Sequence, residues 1–229
     1  ENGNATGNEV SLSDVSAPKD VYASFTKKGQ AGGTVELSNN SSVTTSVYGG
    51  FTSDGVADGS EVAGSDSTVG GDVHGGQGTT GASSNTVDLD NVKVSGKVRG
   101  GDTKSGEASN NKVSLSNGTT FTGNLYAGYT EDGNATGNEV SLSDVTAPQY
   151  VYASYTTEGQ AGGTVTLSNS SVTNNVYGGF THDGVADGSK VTGTNSKVGG
   201  SVYGGQGTTG ASSNTVDLDN VQVTGSVSG

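Results

Sequence analysis

The chain has 229 residues, and more than half of them are Gly, Ser, Thr or Asn. Its net charge is −13, only 28% of its residues are hydrophobic, and Cys, Met and Trp are absent. This composition is typical of disordered chains. It excludes disulfides, metal–thiolate sites and Cys nucleophiles, and it disfavours a helical domain and a nucleic-acid partner. No apolar run has the length of a membrane-spanning helix.

A long internal duplication argues against disorder. Residues 1–100 align with residues 131–229 with one deletion near Asn40, and about three quarters of the aligned positions are identical. The sequence therefore predicts one repetitive segment, 1–229, with a first long copy at 1–130 and a second at 131–229. Because the chain starts and stops abruptly, we expect it to be excised from a longer repeat protein.

A shorter repeat lies inside the long one. The motif V-Y-G-G-F-T at Val47 has relatives every 25 to 27 residues, and these begin at Val21, Val47, Val73, Val98, Leu125, Val151, Val176, Val202 and, truncated, Val227. Each unit also contains one Ala, and most contain a V-x-L pair flanked by polar residues. Such period-2 alternation indicates short strands with one face inward.

Three short strands per unit, separated by Gly-, Asn- and Asp-rich turns, predict an all-β fold. A unit of about 26 residues cannot bury its own apolar face, whereas stacked units bury a continuous one. The predicted architecture is a parallel β-helix, or β-solenoid, of about nine turns. At a strand spacing of about 4.8 Å, the rod is roughly 42 Å long.

Further columns follow from the same spacing. The pattern predicts a third apolar column that includes Val15 and Val145, with a bulged corner after each at Pro18 and Pro148. It also predicts an amide ladder at a corner, formed by Asn8, Asn85, Asn111, Asn138 and Asn214. The turn residues supply the positive φ that tight corners require.

Eleven of the 13 aromatic residues fall in two columns. The first column reads Tyr22, Tyr48, His74, Arg99, Tyr126, Tyr152, Tyr177, Tyr203. The second contains Phe25, Phe51, Tyr129, Tyr155 and Phe180, with Gln77, Asp102 and Gln206 between or after them. Stacked turns place each column in a ladder at strand spacing.

Two interpretations of the aromatic ladders remain open. The rings stiffen the solenoid and cover its strands, or they form an exposed stripe that binds a glycan or a protein. Because the first column tolerates His74 and Arg99, we expect it to be exposed, and we expect the second not to be fully buried. The ladder turns polar at His74, Gln77, Arg99 and Asp102, which makes this place a candidate for a special patch.

The sequence offers no catalytic constellation. His74 and His182 are replaced in the other long copy by Tyr203 and Ser53, and no nucleophile-elbow, P-loop or zincin motif is present. We therefore predict that the chain is not an enzyme and needs no cofactor. The pairs Asp88/Asp90 and Asp217/Asp219 are weak metal candidates. A solvated acidic face is the better interpretation, because neighbouring turns carry Ser at these positions and the calcium β-roll motif is absent.

The recurrent V-Y-G-G and D-G-x-A-x-G-N-x-V-x-L pattern resembles the repeat region of bacterial autotransporter passengers, in particular the self-associating, adhesive kind. The resemblance covers the whole chain, but the 26-residue unit is longer than in many such passengers. It implies a right-handed parallel β-helix outside a diderm bacterium, held at the outer membrane by a C-terminal barrel that these residues do not include. Two-partner-secreted filaments and phage tail spikes share such repeats.

The predicted function is that of a non-enzymatic cell-surface adhesin segment for adhesion, aggregation or biofilm formation. The expected partner is a host or bacterial surface glycan or protein, or another rod of the same kind, and not nucleic acid or the membrane itself. The alternatives are a passive stalk, a polysaccharide-binding or polysaccharide-degrading β-helix, and a phage or filament structural protein.

Overall fold

The chain folds as a stack of parallel β-strands. A computed structural model describes residues 2–229, and in that range there is no helix, and hence none that could cross a membrane. The strands are β1 Ala5–Ser13, β2 Ser16–Ala17, β3 Val21–Ser38, β4 Ser42–Val43, β5 Val47–Ala57, β6 Glu61–Ser65, β7 Thr68–Val69, β8 Val73–Gly78, β9 Thr86–Asp90, β10 Lys93–Val94, β11 Val98–Ser105, β12 Lys112–Ser116, β13 Leu125–Asp132, β14 Ala135–Ser143, β15 Thr146–Ala147, β16 Val151–Ser168, β17 Ser171–Val172, β18 Val176–Asp187, β19 Lys190–Thr194, β20 Lys197–Val198, β21 Val202–Gly207, β22 Gly210–Ser212, β23 Thr215–Asp219, β24 Gln222–Val223 and β25 Val227–Ser228.

Each strand pairs in parallel with its equivalent one unit further along. Val10 lies beside Val35, Val21 beside Val47 and Val62 beside Val87. One 17-stranded sheet contains the V-Y-G-G and V-x-L strands, and two four-stranded sheets contain the two-residue strands other than β25. Three ladders therefore run along the stack, and the third is interrupted at Thr120, which a single bridge joins to Lys93. This stacking confirms the β-solenoid of about nine turns. In β3 and β16 the first two ladders are continuous through a corner over 18 residues.

The core is a narrow column of Val and Leu with an Ala wall. The inward residues of the V-x-L and V-Y-G-G strands are almost fully excluded from solvent between residues 21 and 202. The alanines of the seven central units, from Ala31 to Ala186, are 0% exposed. Ala5 and Ala211, in the terminal turns, are less covered, because each lacks a neighbouring turn on one side.

The predicted third apolar column is wrong at two positions. Val43 pairs with Ala17, not with Val15, and Val172 pairs with Ala147, not with Val145. The amide of Val15 instead meets the Ser41 hydroxyl in the turn above. From Ala17 to Val21 the step is the same four residues as in other turns, so Pro18 and Pro148 lie in a corner of ordinary length rather than a bulge.

One corner carries a left-handed residue in every turn, as the turn composition predicts. The equivalent residues with positive φ, one in each turn, are Asp14, Asn40, Asp66, Asn91, Asn117, Asp144, Asn169, Asn195 and Asn220. Asn and Asp tolerate this conformation better than other non-glycine residues. Their side chains also join turns, since Asn91 Nδ2 donates to Asp66 Oδ1 at 2.7 Å.

Three of the five predicted residues form an amide ladder, and it lies in the interior; Asn8 instead lies beside Gly33, and Asn214 bonds to Ser189. Asn85, Asn111 and Asn138 are 0% exposed. The Nδ2 of Asn85 donates to Oδ1 of Asn111 at 3.0 Å, and that of Asn111 donates to Oδ1 of Asn138 at 3.1 Å. Each Oδ1 also accepts a backbone N–H from the turn below, that of Ser60, Asn85 and Asn111 in order, and each Nδ2 also donates to an Ala carbonyl. A polar seam of satisfied amides therefore runs beside the apolar core.

Glycines opposite the seam make room for it. A Cβ on Gly101 would lie 2.5 Å from the Asn111 amide nitrogen. In one turn the arrangement is reversed: Gly163 stands in the Asn column, and Ser154 stands in the opposite Gly column. The Ser154 hydroxyl accepts a hydrogen bond from Asn138 Nδ2 at 2.9 Å. Ser24 and Gly33 show the same reversal of the Gly and Asn positions in the first long copy. The second Gly of V-Y-G-G is thus required by close approach within the turn.

We expect Asn111→Ala to lower the free energy of unfolding by about 2–4 kcal/mol, because the buried N–H groups of Asn85 and the carbonyl of Ala82 lose their partner. The matched control is Asn214→Ala. Asn214 belongs to the same column, but it is half-buried and water can replace its hydrogen bonds, so the loss is about 1 kcal/mol or less. Urea unfolding followed by circular dichroism measures both. Equal losses would show that the seam is not specifically stabilising.

Candidate functional site

The two aromatic columns form one interlocked surface along the rod. Rings of the first column stack face to face, with centroids 4.8 Å apart for Tyr22 and Tyr48 and 5.0 Å apart for Tyr126 and Tyr152. Rings of the second column stack at 5.4 Å for Phe25 and Phe51. Between the columns the rings meet edge to face, an arrangement favoured by the aromatic quadrupole. The sequence prediction of two ladders at strand spacing is confirmed.

The expected exposure of the first column is wrong for its central members. Tyr126, Tyr152 and Tyr177 are only 6–8% exposed, and His74 is 3% exposed. Each ring is covered above and below by its own column and at its side by the second column. Tyr22, Tyr48, Arg99 and Tyr203 remain half-buried. The first column therefore contributes packing.

The second column is not fully buried, as the sequence predicts, and it presents most of the accessible aromatic area. Phe25 is 48% exposed, and Phe51, Tyr129, Tyr155 and Phe180 are half-buried. Any partner that meets this face touches the edges and outer faces of these rings first. The ligand-binding assignment of either column stays a prediction.

Polar residues two positions earlier bind the phenol groups of the first column. Tyr22 donates to Asp20 Oδ2 at 3.1 Å, and the amides of Asn124 and Asn175 donate to the hydroxyls of Tyr126 and Tyr177 at 2.8 and 2.7 Å. Burial, followed by the charge of Asp20, raises the pKa of Tyr22 to about 12. Burial likewise raises the pKa values of Tyr126, Tyr152 and Tyr177. These four tyrosines are thus kept neutral at neutral pH.

At the predicted special patch the first ladder continues through two planar polar groups. The His74 ring stacks on Tyr48 at 4.9 Å. The Arg99 guanidinium lies 4.8 Å from the ring centroid of Tyr129 and 5.5 Å from that of Tyr126. Cation–π attraction favours both positions of the guanidinium. The stack is therefore modified rather than broken.

Carboxylates balance the charge at this patch. Asp102, which is almost buried, pairs with the Arg99 guanidinium and lies 3.4 Å from both Gln77 Nε2 and His74 Nδ1. On the other side of His74 lies Asp72, whose Oδ1 accepts the backbone N–H of Lys97 at 2.8 Å. Contact with His74, together with the Lys97 N–H, lowers the pKa of Asp72 to about 2. A carboxylate, Asp102, stands in the second column instead of a ring because the largely buried charge of Arg99 is costly without an ion-pair partner.

A shallow open cavity of about 420 Å³ lies over this patch. Its ends are the rings of Phe51 and Tyr129, and its floor includes Gln77, Arg99 and Asp102. Thr79, Lys104 and Glu131 lie at its rim, and sequence reasoning missed them. The sequence could have indicated them, because each of the three follows a position of the second column by two residues and therefore points to the same face of the strand.

The structure does not bring the weak metal candidates together with other carboxylates. Asp88 and Asp90 lie on β9 beside Ser114 and Ser116, and Asp90 accepts a hydrogen bond from Asn117. Asp217 and Asp219 lie on β23 beside Thr192 and Thr194. Over residues 2–229, no group of three or more His, Asp or Glu residues is close enough to hold a metal ion.

Comparison with known proteins gives no match: no protein-family model, no curated protein and no solved structure resembles the chain significantly.

We expect Tyr152→Ala to lower the free energy of unfolding by about 3–5 kcal/mol, because it empties a buried position between two stacked rings. Phe25→Ala is the matched control. It removes a ring that is half exposed, so it costs about 1–2 kcal/mol. Denaturant unfolding compares the two variants. A larger loss for Phe25→Ala would contradict the assignment of the first column to packing.

The raised tyrosine pKa values predict alkaline instability. The pKa of an unfolded tyrosine is about 10, whereas burial and the charge of Asp20 raise the pKa of Tyr22 in the folded chain to about 12. The unfolded state loses these protons first, so the stabilisation is complete below pH 10 and is lost as the pH rises through the folded values. Tyrosinate absorbance and circular dichroism, recorded together against pH, test this. Ionisation of all tyrosines near pH 10 without unfolding contradicts it.

Proposed function

We propose that the chain is a non-enzymatic segment of an exported bacterial cell-surface adhesin. In this proposal the β-solenoid is both the stalk and the contact surface, and the protein acts outside the cell. The observation that carries the proposal is the partly exposed second aromatic column, which recurs in the same register in both long copies. Phe25 and Phe51 in the first copy correspond to Tyr155 and Phe180 in the second.

Repetition of one surface suits adhesion by many weak contacts. The two sets of rings are five turns apart, which corresponds to about 24 Å along the rod. A partner that spans this distance, such as a polysaccharide or a second rod, engages both sets at once and gains avidity without a tighter single site. Tyr and Phe supply large rigid contact areas at low entropic cost.

The passive stalk is the second candidate, because the burial of Tyr126, Tyr152 and Tyr177 accounts for the first column by packing alone. On that account the second column covers the first, and no partner is needed.

The test is attachment of the 229-residue rod, displayed on beads, to bacterial and host cells and to other beads. We expect saturable attachment or clumping that falls at least about tenfold when Phe25, Phe51, Tyr155 and Phe180 are all replaced by Ser, the loss of roughly 1.4 kcal/mol or more. The control carries Glu36→Ser and Glu139→Ser, which change exposed positions on the V-x-L strands.

Circular dichroism must show that the variant rods remain folded. Undiminished attachment of the folded aromatic variant contradicts the proposed contact surface. An intact wild-type rod that neither attaches nor clumps supports the passive stalk instead.

A further inference from the structure

Two positions of the second aromatic column, between Phe51 and Tyr129, lack an aromatic ring. Gln77 and Asp102 stand in these positions, as the pairing of Phe51 with Gln77 and of Asp102 with Tyr129 shows. Elsewhere the rings of this column are 5.1–5.4 Å apart. Three turns separate Phe51 from Tyr129, or about 14 Å along the rod. We call this gap the notch, formed by Phe51, Gln77, Arg99, Asp102 and Tyr129.

The walls of the notch are flat apolar surfaces. The Phe51 ring is nearly parallel to Phe25, with an interplanar angle of 4°, and the Tyr129 ring is nearly parallel to Tyr155, at 9°. Each wall ring therefore has one face against its own stack and the other towards the notch. On the Tyr129 side the planar Arg99 guanidinium covers part of that face. The Phe51 side offers a platform for a ring of similar size.

The floor of the notch is polar but balanced in charge. Arg99 is paired with Asp102, and Lys104 and Glu131 stand at the rim. Gln77 supplies both an amide donor and a carbonyl acceptor, and the Asp102 carboxylate supplies acceptors. The long contact of 3.4 Å between Gln77 and Asp102 leaves both groups able to bind a further partner.

This chemistry selects among ligand classes. An anion is repelled by Asp102 and Glu131, and a cation by Arg99 and Lys104. A purely apolar group strips water from the Arg99–Asp102 pair without replacing its hydrogen bonds. A neutral sugar has C–H faces that stack on an aromatic ring and hydroxyl groups that both donate and accept. It fits the walls and the floor together.

We propose that the notch binds a neutral saccharide, with one sugar ring on the open face of Phe51 and hydroxyl groups on Gln77 and Asp102. The two vacant positions give room for one or two sugar rings. The proposal rests on the adhesive function proposed above, since it names the ligand class for one place on that surface. In the second long copy Gln206 occupies the position of Gln77, but Ser228 stands in the position of Arg99, so the guanidinium is missing there.

The experiment is a titration of the ¹⁵N-labelled chain with neutral oligosaccharides of glucose, mannose and N-acetylglucosamine, and with an oligouronate as the charged contrast. Nuclear magnetic resonance follows the side-chain amide of Gln77 and the N–H of Thr79. We expect saturable shifts at these groups with at least one neutral oligosaccharide and weaker binding of the oligouronate. Gln77→Tyr places a ring in the notch, as neighbouring turns already do, and weakens binding at least about tenfold, or roughly 1.4 kcal/mol. Gln206→Tyr, the same change in the other copy, leaves binding unchanged.

Three results overturn the proposal: no saturable shift with any neutral oligosaccharide, tighter binding of the oligouronate, or equal binding by folded Gln77→Tyr. The adhesive function is judged separately by the bead assay. If beads carrying Gln77→Tyr attach to cells like wild type and no saccharide binds, the result supports the adhesive function and contradicts the saccharide site in the notch. If a saccharide binds at the notch but wild-type beads attach to nothing, the result supports the saccharide site and contradicts the adhesive function.

Discussion

Parallel stacking in register constrains every other feature of this molecule. Each residue lies about 4.8 Å from its equivalents in the turns above and below, so the choice of side chain at one turn limits the choice at the next. The buried amides of Asn85, Asn111 and Asn138 show the constraint most directly, because each satisfies its neighbour and is satisfied by it. A single apolar residue in that column leaves polar groups on two turns without partners.

The same constraint explains how a polar composition supports a folded rod. A narrow core needs only a few Val, Leu and Ala side chains per turn, while Gly, Ser and Asn fill the corners and the seam. It also explains the chemistry of the aromatic face. Where the tyrosines of the first column stop, imidazole and guanidinium groups continue the stack because they are also planar. The charge of Arg99 then requires Asp102, and Asp102 displaces a ring from the second column and opens the notch.

Most columns could be predicted because register repeats along the sequence: apart from Val15 and Val145, the matched apolar and Tyr positions pair as their spacing indicates. Val15 and Val145 were misassigned because a β-branched residue two positions before a column resembles a member of it, whereas the true members are Ala17 and Ala147. The exposure of the tyrosines was misjudged because burial depends on the second column and on the turns above and below. The reversal at Ser154 and Gly163, where Ser replaces the usual Gly and Gly replaces the usual Asn, was visible in the repeats, since Ser24 and Gly33 show it too. The polar interruption at the notch was visible in the repeats, but the contact of Arg99 with Tyr129 was not, because spacing does not show which way a side chain turns.

Residue-level hydrogen exchange tests the central claim, that matched side-chain columns between turns hold the rod together. The backbone N–H groups of Asn85 and Asn111, which donate to amide oxygens of the next turn, should be among the slowest to exchange. Protection should fall towards both terminal turns, where residues lack a neighbour on one side. Exchange of the Asn85 and Asn111 N–H groups as fast as that of exposed corner residues such as Asn91 would contradict the account.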